Sequence, residues 1–254
     1  MAVVFITAAA SNTGKAIAEK FASEGYSVAV SSRNESDAIA TAQYLEEKYS
    51  VQAKGYGLEL TNVENIKQVF DKIKKDFGRL DTFVANAANL GVDMDFLSVD
   101  EQEYSQVVDC NLKGTFFCAQ QAGLIMKEQK KGSIVFMSSV HSHECIFGRS
   151  LYTASKGGIN ALMRALAIEL GQYNIRSNCI IAGAIKTNRW DNFTDEEIAK
   201  KRSNWPIGLE STGEDIANGV FYLGTDLSKT VTGTELTIDS GILISLLPYK
   251  EQNK

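Results

Sequence analysis

The sequence predicts an α/β fold: a Rossmann-like, doubly wound parallel sheet of about seven strands with helices on both faces. Two observations favour it. Short apolar runs, most of them rich in Val and Ile, are typical of parallel strands that are buried on both faces. Longer stretches with helical periodicity separate these runs, and short links join the two kinds of segment. The strand candidates are residues 3–7, 27–31, 82–85, 133–138 and 175–181.

Helical periodicity marks five stretches between and after these strands. The last of them is the clearest, because one wide apolar face is defined by Ile159, Leu162, Met163, Leu166, Ile168 and Leu170. The helix candidates are residues 13–24, 36–49, 62–77, 100–129 and 153–173.

A long stretch without a clear strand or helix signal covers residues 183–212. It follows the carboxyl end of a predicted strand, where ligands bind in such sheets. Long irregular segments in compact domains are often lids. We therefore expect a substrate lid here, with a plain surface excursion as the alternative.

Length, charge and cysteine spacing limit the class of protein. The 254 residues suit a single α/β domain spanning residues 1–254. A net charge of −5 disfavours a nucleic-acid or anionic-membrane partner, which would need a basic face. No apolar run reaches the ~20 residues of a membrane span. The four cysteines lack metal-ligand spacing and are expected to be free thiols in a reducing cytosol. We expect a cytoplasmic protein with a small-molecule ligand.

The chain opens with a strand that runs into a loop of small residues, residues 7–14, and then into a helix. Such a turn lets backbone N–H groups and a helix N-terminus meet a pyrophosphate. The usual G-x-G-x-x-G is absent. The loop alone therefore predicts a dinucleotide site and a plain strand–helix connection about equally.

Residues 7–14 resemble the T-G-x-x-x-G-x-G loop of the short-chain dehydrogenase/reductase family, with Ala8 and Asn12 at its first two glycines. Asn enters the left-handed backbone region more readily than most non-glycine residues, so Asn12 suits a position that needs a positive φ. Ala85-Asn86-Ala87-Ala88 resembles the family's N-A-G element, and Ala182-Gly183 its P-G element. The segment V-T-G-T-E-L-T-I-D-S-G resembles its closing strand.

The resemblance implies a dinucleotide cofactor along this edge of the sheet. Glu59 and Leu60 lie where the family touches adenine, and Thr187 where it touches the nicotinamide carboxamide. The expected cofactor contacts are Thr7, Ala9, Ser11, Asn12, Thr13, Gly14, Ser32, Arg33, Asn34, Glu59, Leu60, Asn86, Ala87, Tyr152, Lys156, Gly183, Ile185 and Thr187.

The same resemblance covers a candidate catalytic set. Tyr152-x-x-x-Lys156 begins a predicted helix, Ser139 closes a predicted strand, and Asn111 lies in a helical stretch. A Y-x-x-x-K alone is weak in a chain with nine tyrosines. The order and spacing match the family's Asn–Ser–Tyr–Lys tetrad, with Ser138 as the less favoured serine.

The chemistry of carbonyl reduction explains these residue types. Hydride transfer to a ketone leaves an alkoxide that needs a proton, and a phenol with a pKa near 10 exchanges protons poorly at neutral pH. A nearby Lys⁺ favours the phenolate and should lower the pKa of Tyr152. The i, i+4 spacing puts Tyr152 and Lys156 on one helix face. The resemblance further implies that Lys156 holds the nicotinamide ribose, Ser139 hydrogen-bonds the substrate oxygen and Asn111 anchors a proton-relay water.

The substrate is less well defined. We expect it to contact Ser139, Tyr152, His141 and Trp190, although His141 could lie in an exposed loop and Trp190 in a subunit interface. No third ligand accompanies the H-x-H at His141, so no metal is expected. The sequence most resembles the glucose/sugar dehydrogenase branch; a hydroxysteroid or acyl-thioester substrate stays open, as does a non-catalytic nucleotide-binding regulator. Family members are commonly tetramers.

The end of the second strand predicts NADP(H) rather than NAD(H). NAD-users carry an acidic side chain there that accepts from the ribose 2′-OH. In this chain the position is the neutral Ser32, and Arg33 follows with a planar cation suited to a phosphate. Ser11 is uncharged where many NADP-users have a second basic residue, so NAD is expected to be less favoured rather than excluded.

Overall fold

The computed structural model describes residues 1–91 and 94–245. The prediction of a single domain over residues 1–254 thus includes residues 92–93 and 246–254, which lie outside the described residues. Seven parallel strands form one sheet in the order β3-β2-β1-β4-β5-β6-β7. They are β1 Val3–Ile6, β2 Ser27–Ser32, β3 Ala53–Gly57, β4 Thr82–Ala85, β5 Gly132–Ser139, β6 Ile175–Ala182 and β7 Glu235–Ile238.

Helices cover both faces of the sheet, which confirms the predicted Rossmann-like fold. The α-helices are α1 Asn12–Ser23, α2 Glu35–Tyr49, α3 Val63–Phe77, α4 Glu101–Val108, α5 Gly114–Gln129, α6 Ser150–Gly171, α7 Asp195–Arg202 and α8 Gly213–Gly224. One apolar core lies between the sheet and α3, α5 and α6. The other lies between the sheet and α1, α2 and α8. None of the helices in the described part of the chain has the length and apolar character needed to cross a membrane.

The strand order reverses between β1 and β4. Ile6 pairs with Val30 of β2 on one side and with Val84 of β4 on the other. In open α/β sheets, ligands bind in the crevice outside the carboxyl ends of the strands at such a switch point. The fold therefore directs attention to the loops after β1, β2, β4, β5 and β6.

Strand β3 is not among the strands that the sequence predicts. Its sequence, A-K-G-Y-G, has too few apolar residues to form a recognisable run. A Cβ on Gly55 would lie 2.2 Å from the backbone carbon of Ala38, so α2 packs directly on the strand at a point where a side chain would not fit. Close backbone approach is a common reason for glycine inside a strand.

The predicted helix 100–129 is interrupted. A π-helical turn, Asp109–Lys113, separates α4 from α5. Such turns often occur at functional sites, and this one contains Asn111. Hydrophobic periodicity does not reveal the interruption, because the apolar faces of α4 and α5 continue on either side of it.

The segment 183–212 contains more helix than the sequence predicts. It includes a 3₁₀-helix, Asn188–Asn192, and the α-helix α7. Helix α7 has no buried residue and hence no apolar face to produce a periodic signal. Its capping box, in which the side chains of Thr194 and Glu197 bond to each other's backbone N–H groups, is the sequence signal that could have identified it.

Candidate active site

The four candidate catalytic residues converge at the carboxyl edge of the sheet. Asn111 comes from the π-helical turn, Ser139 from the last position of β5, and Tyr152 and Lys156 from successive turns of α6. All four are buried, with 2 to 8% of each residue exposed. A protein environment of this kind strengthens hydrogen bonds and charge interactions relative to water.

Tyr152 lies between a serine and a histidine. The side chain of Ser139 lies beside its phenol, and its ring meets the His141 ring edge-on with 6.0 Å between centroids. Burial raises the pKa of Tyr152 above its usual value, whereas the side chain of Ser139 and the charges of Arg149 and Arg189 act to lower it. The lowering influence that the sequence assigns to Lys156 stays a prediction.

Lys156 has its own partner. Its Nζ donates to the backbone oxygen of Met137 in β5 at 2.6 Å and lies 5.6 Å from the centroid of the Tyr152 ring. Burial lowers the pKa of Lys156 to about 8, because desolvation disfavours the charged ammonium. Because its pKa lies above neutral pH, the lysine is still mostly a cation there, although burial makes it easier to deprotonate than an exposed lysine.

The two neighbouring serines have different surroundings. Ser138 points its Oγ to Asn160 Oδ1 at 2.5 Å, on the α6 side of the sheet. Ser139 Oγ accepts from the backbone N–H of His141 at 3.2 Å and lies beside Tyr152. Of the two, Ser139 is the one next to the tyrosine, as the sequence predicts.

The side chain of Asn111 bonds to two other parts of the site. Its Oδ1 accepts from the backbone N–H of Asn89 at 2.6 Å, and its Nδ2 donates to Asn89 O at 2.7 Å and to Ser155 Oγ at 3.1 Å. The side-chain amide thus locks the loop after β4 to α6. Sequence reasoning missed Asn89 and Ser155, since nothing in their local sequence marks them as partners of Asn111. The role of Asn111 as the anchor of a relay water stays a prediction.

The loop after β1 has the backbone that the cofactor hypothesis requires. Ala8 has a φ of +51° and Asn12 a φ of +46°, so both replacements of the family's glycines are in the left-handed region, as expected for Asn12. A Cβ on Gly14 would lie 2.3 Å from Ala8 O, which explains why this third glycine remains. Ser11 precedes α1 without capping it through its side chain, which leaves the helix N-terminus open to an anion.

Thr7 and Asn86 fix this loop against the end of β4. Thr7 Oγ1 accepts from the backbone N–H groups of Asn86 at 2.9 Å and of Ala87 at 3.1 Å. Asn86 Nδ2 donates to the backbone oxygens of Thr7 at 3.0 Å and Ala8 at 3.1 Å. Ala9, fully buried, donates its N–H to Ser31 O at 2.8 Å. Among the expected contacts, Thr13 is half-buried in the first turn of α1.

The end of β2 offers an open pocket of about 460 Å³ between Arg33 and Glu59. Ser32 is half-buried and Arg33 is exposed. Glu59 accepts from the backbone N–H and the hydroxyl of Thr61, and the former bond is the main cause of its lowered pKa. Asn34 caps α2 by accepting from Ser36 N, so its Oδ1 is already engaged. Leu60 is buried behind the pocket.

The loop after β6 carries the residues that are expected to contact the nicotinamide end of the cofactor. Gly183 has no room for a side chain, because a Cβ would lie 2.6 Å from Asp239 Cα. Ile185 forms a single parallel bridge with Ser211. Thr187 Oγ1 is buried and has no hydrogen-bond partner among the described residues. A buried hydroxyl without a partner is costly, and a carboxamide would satisfy it; the residues present therefore fit a nicotinamide.

Trp190 belongs to the packing of the segment 183–212. It is buried, donates Nε1–H to Ile185 O at 2.9 Å, and packs against Trp205 with 6.1 Å between centroids. Contact between Trp190 and a substrate stays a prediction. His141 lies beside Tyr152, whereas His143 turns away to bind Glu235 at 2.8 Å. The described residues contain no cluster of His, Cys, Asp and Glu that could hold a metal ion.

Comparison with known proteins covers nearly the whole chain. A family model described as enoyl-(acyl carrier protein) reductase matches residues 8–243. A sorbose reductase of Candida albicans is 35% identical over 248 residues, covering 94% of this chain and 86% of the relative. A protein of Yarrowia lipolytica described as an NADP-dependent mannitol dehydrogenase is 32% identical over 242 residues, covering 94% and 86%.

Two further proteins are similar at close to full length. The 3-oxoacyl-[acyl-carrier-protein] reductase of Thermotoga maritima is 34% identical over 247 residues, covering 95% of this chain and 98% of the relative. A crystal structure described as a short-chain alcohol dehydrogenase of Sinorhizobium meliloti has a TM-score of 0.90 and 32% identity, covering 96% and 97%.

Proposed function

The chain belongs to the short-chain dehydrogenase/reductase family of alcohol and ketone oxidoreductases, and we propose that it uses NADP(H) with Tyr152 as the acid/base. The reaction interconverts a ketone or aldehyde and an alcohol. The observation that carries this proposal is the buried position of Tyr152 beside Ser139, with the Lys156 ammonium 5.6 Å from its ring centroid.

Each residue of the tetrad has its own part in the proposed reaction. NADPH, when bound, supplies the hydride to the carbonyl carbon. Ser139 Oγ orients the carbonyl oxygen by hydrogen bonding, and Tyr152 donates a proton to the same oxygen. Lys156 acts on the tyrosine and on the nicotinamide ribose, and Asn111 holds the relay water that returns a proton to Tyr152. Positioned proton transfer of this kind contributes about 10²- to 10⁴-fold to a rate.

The proposed substrate is a sugar or polyol. The sorbose reductase and the mannitol dehydrogenase among the similar proteins support this class. The 3-oxoacyl reductase supports the second candidate, a 3-oxoacyl thioester. A panel of ketoses, polyols and acyl thioesters, assayed with both cofactors, separates the two.

The proposed cofactor is NADP(H), with NAD(H) used less well. Support comes from Ser32 and the exposed Arg33 beside the pocket at the end of β2. The description of one relative as NADP-dependent agrees with it. Cofactor contacts are proposed for the loop after β1, the end of β2, the Asn86 element and Thr187.

The assembly is proposed to be a homo-oligomer, as the family's tetramers suggest, in the cytoplasm. Large apolar side chains are exposed on α5 and α6: Ile168 is 83% exposed and Leu124 53%. These side chains would be buried in a helix-to-helix subunit interface. The segment 183–212 is proposed to be the substrate lid of a single catalytic domain.

The experiment that tests the function is Tyr152→Phe, which removes only the phenolic oxygen. Fold and cofactor binding should persist, while turnover should fall at least about 10²-fold because the proton donor is gone. Tyr222→Phe, a change at a partly exposed tyrosine on α8, is the matched control and should leave turnover unchanged. If Tyr152→Phe keeps a turnover within about threefold of the parent, far from the expected loss, Tyr152 is not the acid/base.

A further inference from the structure

One polar residue on α6, Asn160, lies on the same side of the helix as Tyr152 and Lys156 but is not one of the four candidate catalytic residues. Tyr152, Lys156 and Asn160 are spaced four residues apart and therefore share one face of the helix. Asn160 is 3% exposed. A buried amide requires partners, since each unsatisfied donor or acceptor costs about 1–3 kcal/mol.

The partners of Asn160 lie on both sides of Ser139. On one side, Asn160 Oδ1 accepts from Ser138 Oγ at 2.5 Å. On the other, Asn160 Nδ2 donates to Ser142 Oγ at 2.9 Å, and Ser142 Oγ in turn donates to the backbone oxygen of Ser139 at 2.6 Å. The Asn160 amide thus bonds to one serine before Ser139 in the sequence and to one serine after it.

These contacts hold a sharp change of backbone direction. Ser139 is extended, with φ −154° and ψ 156°, and ends β5 immediately before the 3₁₀ turn Val140–Ser142. The direction of Ser139 Oγ relative to Tyr152 depends on how this turn is anchored to α6. Asn160 supplies that anchor from the same helix that carries Tyr152 and Lys156, so one rigid element fixes all three groups.

We propose that Asn160 is a positioning residue that aligns Ser139 with Tyr152 through Ser138 and Ser142. This inference rests on the proposed function, because it assumes that the pair Ser139–Tyr152 performs the proton transfer. A misplacement of about 1 Å caused by a residue away from the chemistry can cost about 10²-fold in rate.

The test combines Asn160→Ala with a milder variant, Ser142→Ala. The second change removes one hydroxyl of the same hydrogen-bond network, at a half-buried site. We expect kcat to fall at least about tenfold for Asn160→Ala and less for Ser142→Ala, as expected when a reacting group is misaligned. The KM for NADPH should change little. The side chain of Ser139 acts to lower the pKa of Tyr152, so its misalignment should move the pH profile of alcohol oxidation to higher pH in both variants.

The matched control is Asn178→Ala. Asn178 is also a fully buried asparagine, and its amide bonds to Val231 O and Thr234 N in a network that does not include Ser138, Ser139 or Ser142. Asn178→Ala should lower thermal stability while leaving kcat and the pH profile of the folded enzyme unchanged.

Two outcomes overturn the inference. If Asn160→Ala loses thermal stability as Asn178→Ala does but keeps its kcat and its pH profile, Asn160 contributes to packing alone. If Asn160→Ala does not fold, an unchanged kcat and pH profile of Ser142→Ala likewise assigns Asn160 to packing. Failure of the proposed function is recognised separately, because Tyr152→Phe would then retain its turnover.

Discussion

Tyr152 is subject to opposing influences. Burial raises its pKa, whereas the hydroxyl of Ser139 and the charges of Arg149 and Arg189 lower it. The Arg149 guanidinium donates to the backbone oxygen of Leu90 at 3.0 Å, while the side chain of Arg189 has no hydrogen bond or ion pair among the described residues. Two cations near a phenol favour the phenolate. The two arginines thus act on the phenol in the same direction that the sequence predicts for Lys156.

A pH profile tests this assignment. Alcohol oxidation requires Tyr152 as a base, so its rate rises as the phenol loses its proton. Arg189→Met removes a charge that stabilises the phenolate, which raises the pKa of Tyr152 and should move the rising limb to higher pH. Arg149→Met should act in the same direction. Arg79→Met removes an arginine paired with Asp81 and serves as the control. Profiles of both site variants that coincide with the parent profile would show that the arginines do not act on Tyr152.

Arg33 is the residue on which the proposed cofactor choice depends. Arg33→Ala should raise the KM for NADPH and leave that for NADH nearly unchanged, since only NADPH carries the 2′-phosphate. One charged hydrogen bond is worth about 1.5–3 kcal/mol, or roughly ten- to a hundredfold in preference. Steady-state kcat/KM with each cofactor measures the change, and Lys72→Ala, an exposed lysine on α3, is the control. A parent enzyme that prefers NADH would contradict the proposal.

Single residues were predictable where their own chemistry determines the backbone or the role. Asn12 was expected to tolerate a positive φ, and its φ is +46°. Asn160 could not be found this way. Its bonds reach partners 18 and 22 residues away, in the 3₁₀ turn and in β5. The helical spacing places Asn160 on the face of Tyr152 and Lys156, but it does not identify these partners.

At the scale of elements, strands with an apolar run were predictable, and so were most helices with an apolar face. Helix α8 was missed although Ile216, Val220 and Leu223 form such a face. Elements that lack both signals were not predictable. Strand β3 contains two glycines and a lysine, and α7 buries none of its residues. The segment that contains α7 nevertheless has its own packing: Trp190 contacts both Phe193 and Trp205. It also touches the loop after β1, since Asn188 N–H donates to Asn12 Oδ1 at 3.4 Å.

Limited proteolysis tests the lid assigned to residues 183–212. Helix α7 buries no side chain and contains Lys200, Lys201 and Arg202, so brief opening should admit trypsin. We expect cleavage there in the free enzyme and protection when NADPH and a substrate analogue are both present. Cleavage at exposed Lys67 on α3 provides the internal control. Equal rates at α7 with and without ligands would count against a lid.

At the scale of the whole molecule, the proposed cofactor site is assembled from segments far apart in the sequence. The loop after β1, the end of β2, the Asn86 element after β4 and Thr187 after β6 meet only because the strand order reverses between β1 and β4. The unfolded chain therefore has no such site. A ligand that binds only the folded protein stabilises it, by about 2.7 kcal/mol at a concentration of 100 Kd.

Thermal unfolding thus gives a test of cofactor choice that needs no substrate. For a domain of this size class, each kcal/mol raises Tm by about 2–4 °C, so NADP⁺ near saturation should raise Tm by roughly 5–10 °C. NAD⁺ at the same concentration should give a smaller rise, because it lacks the phosphate that Arg33 is proposed to bind. In Arg33→Ala the two rises should become similar. Adenosine 2′,5′-bisphosphate, which carries the 2′-phosphate without the nicotinamide, should stabilise the parent protein more than AMP does. A larger rise with NAD⁺ than with NADP⁺ in the parent protein would overturn the NADP(H) proposal while leaving the role of Tyr152 untouched, since the two depend on opposite ends of the crevice.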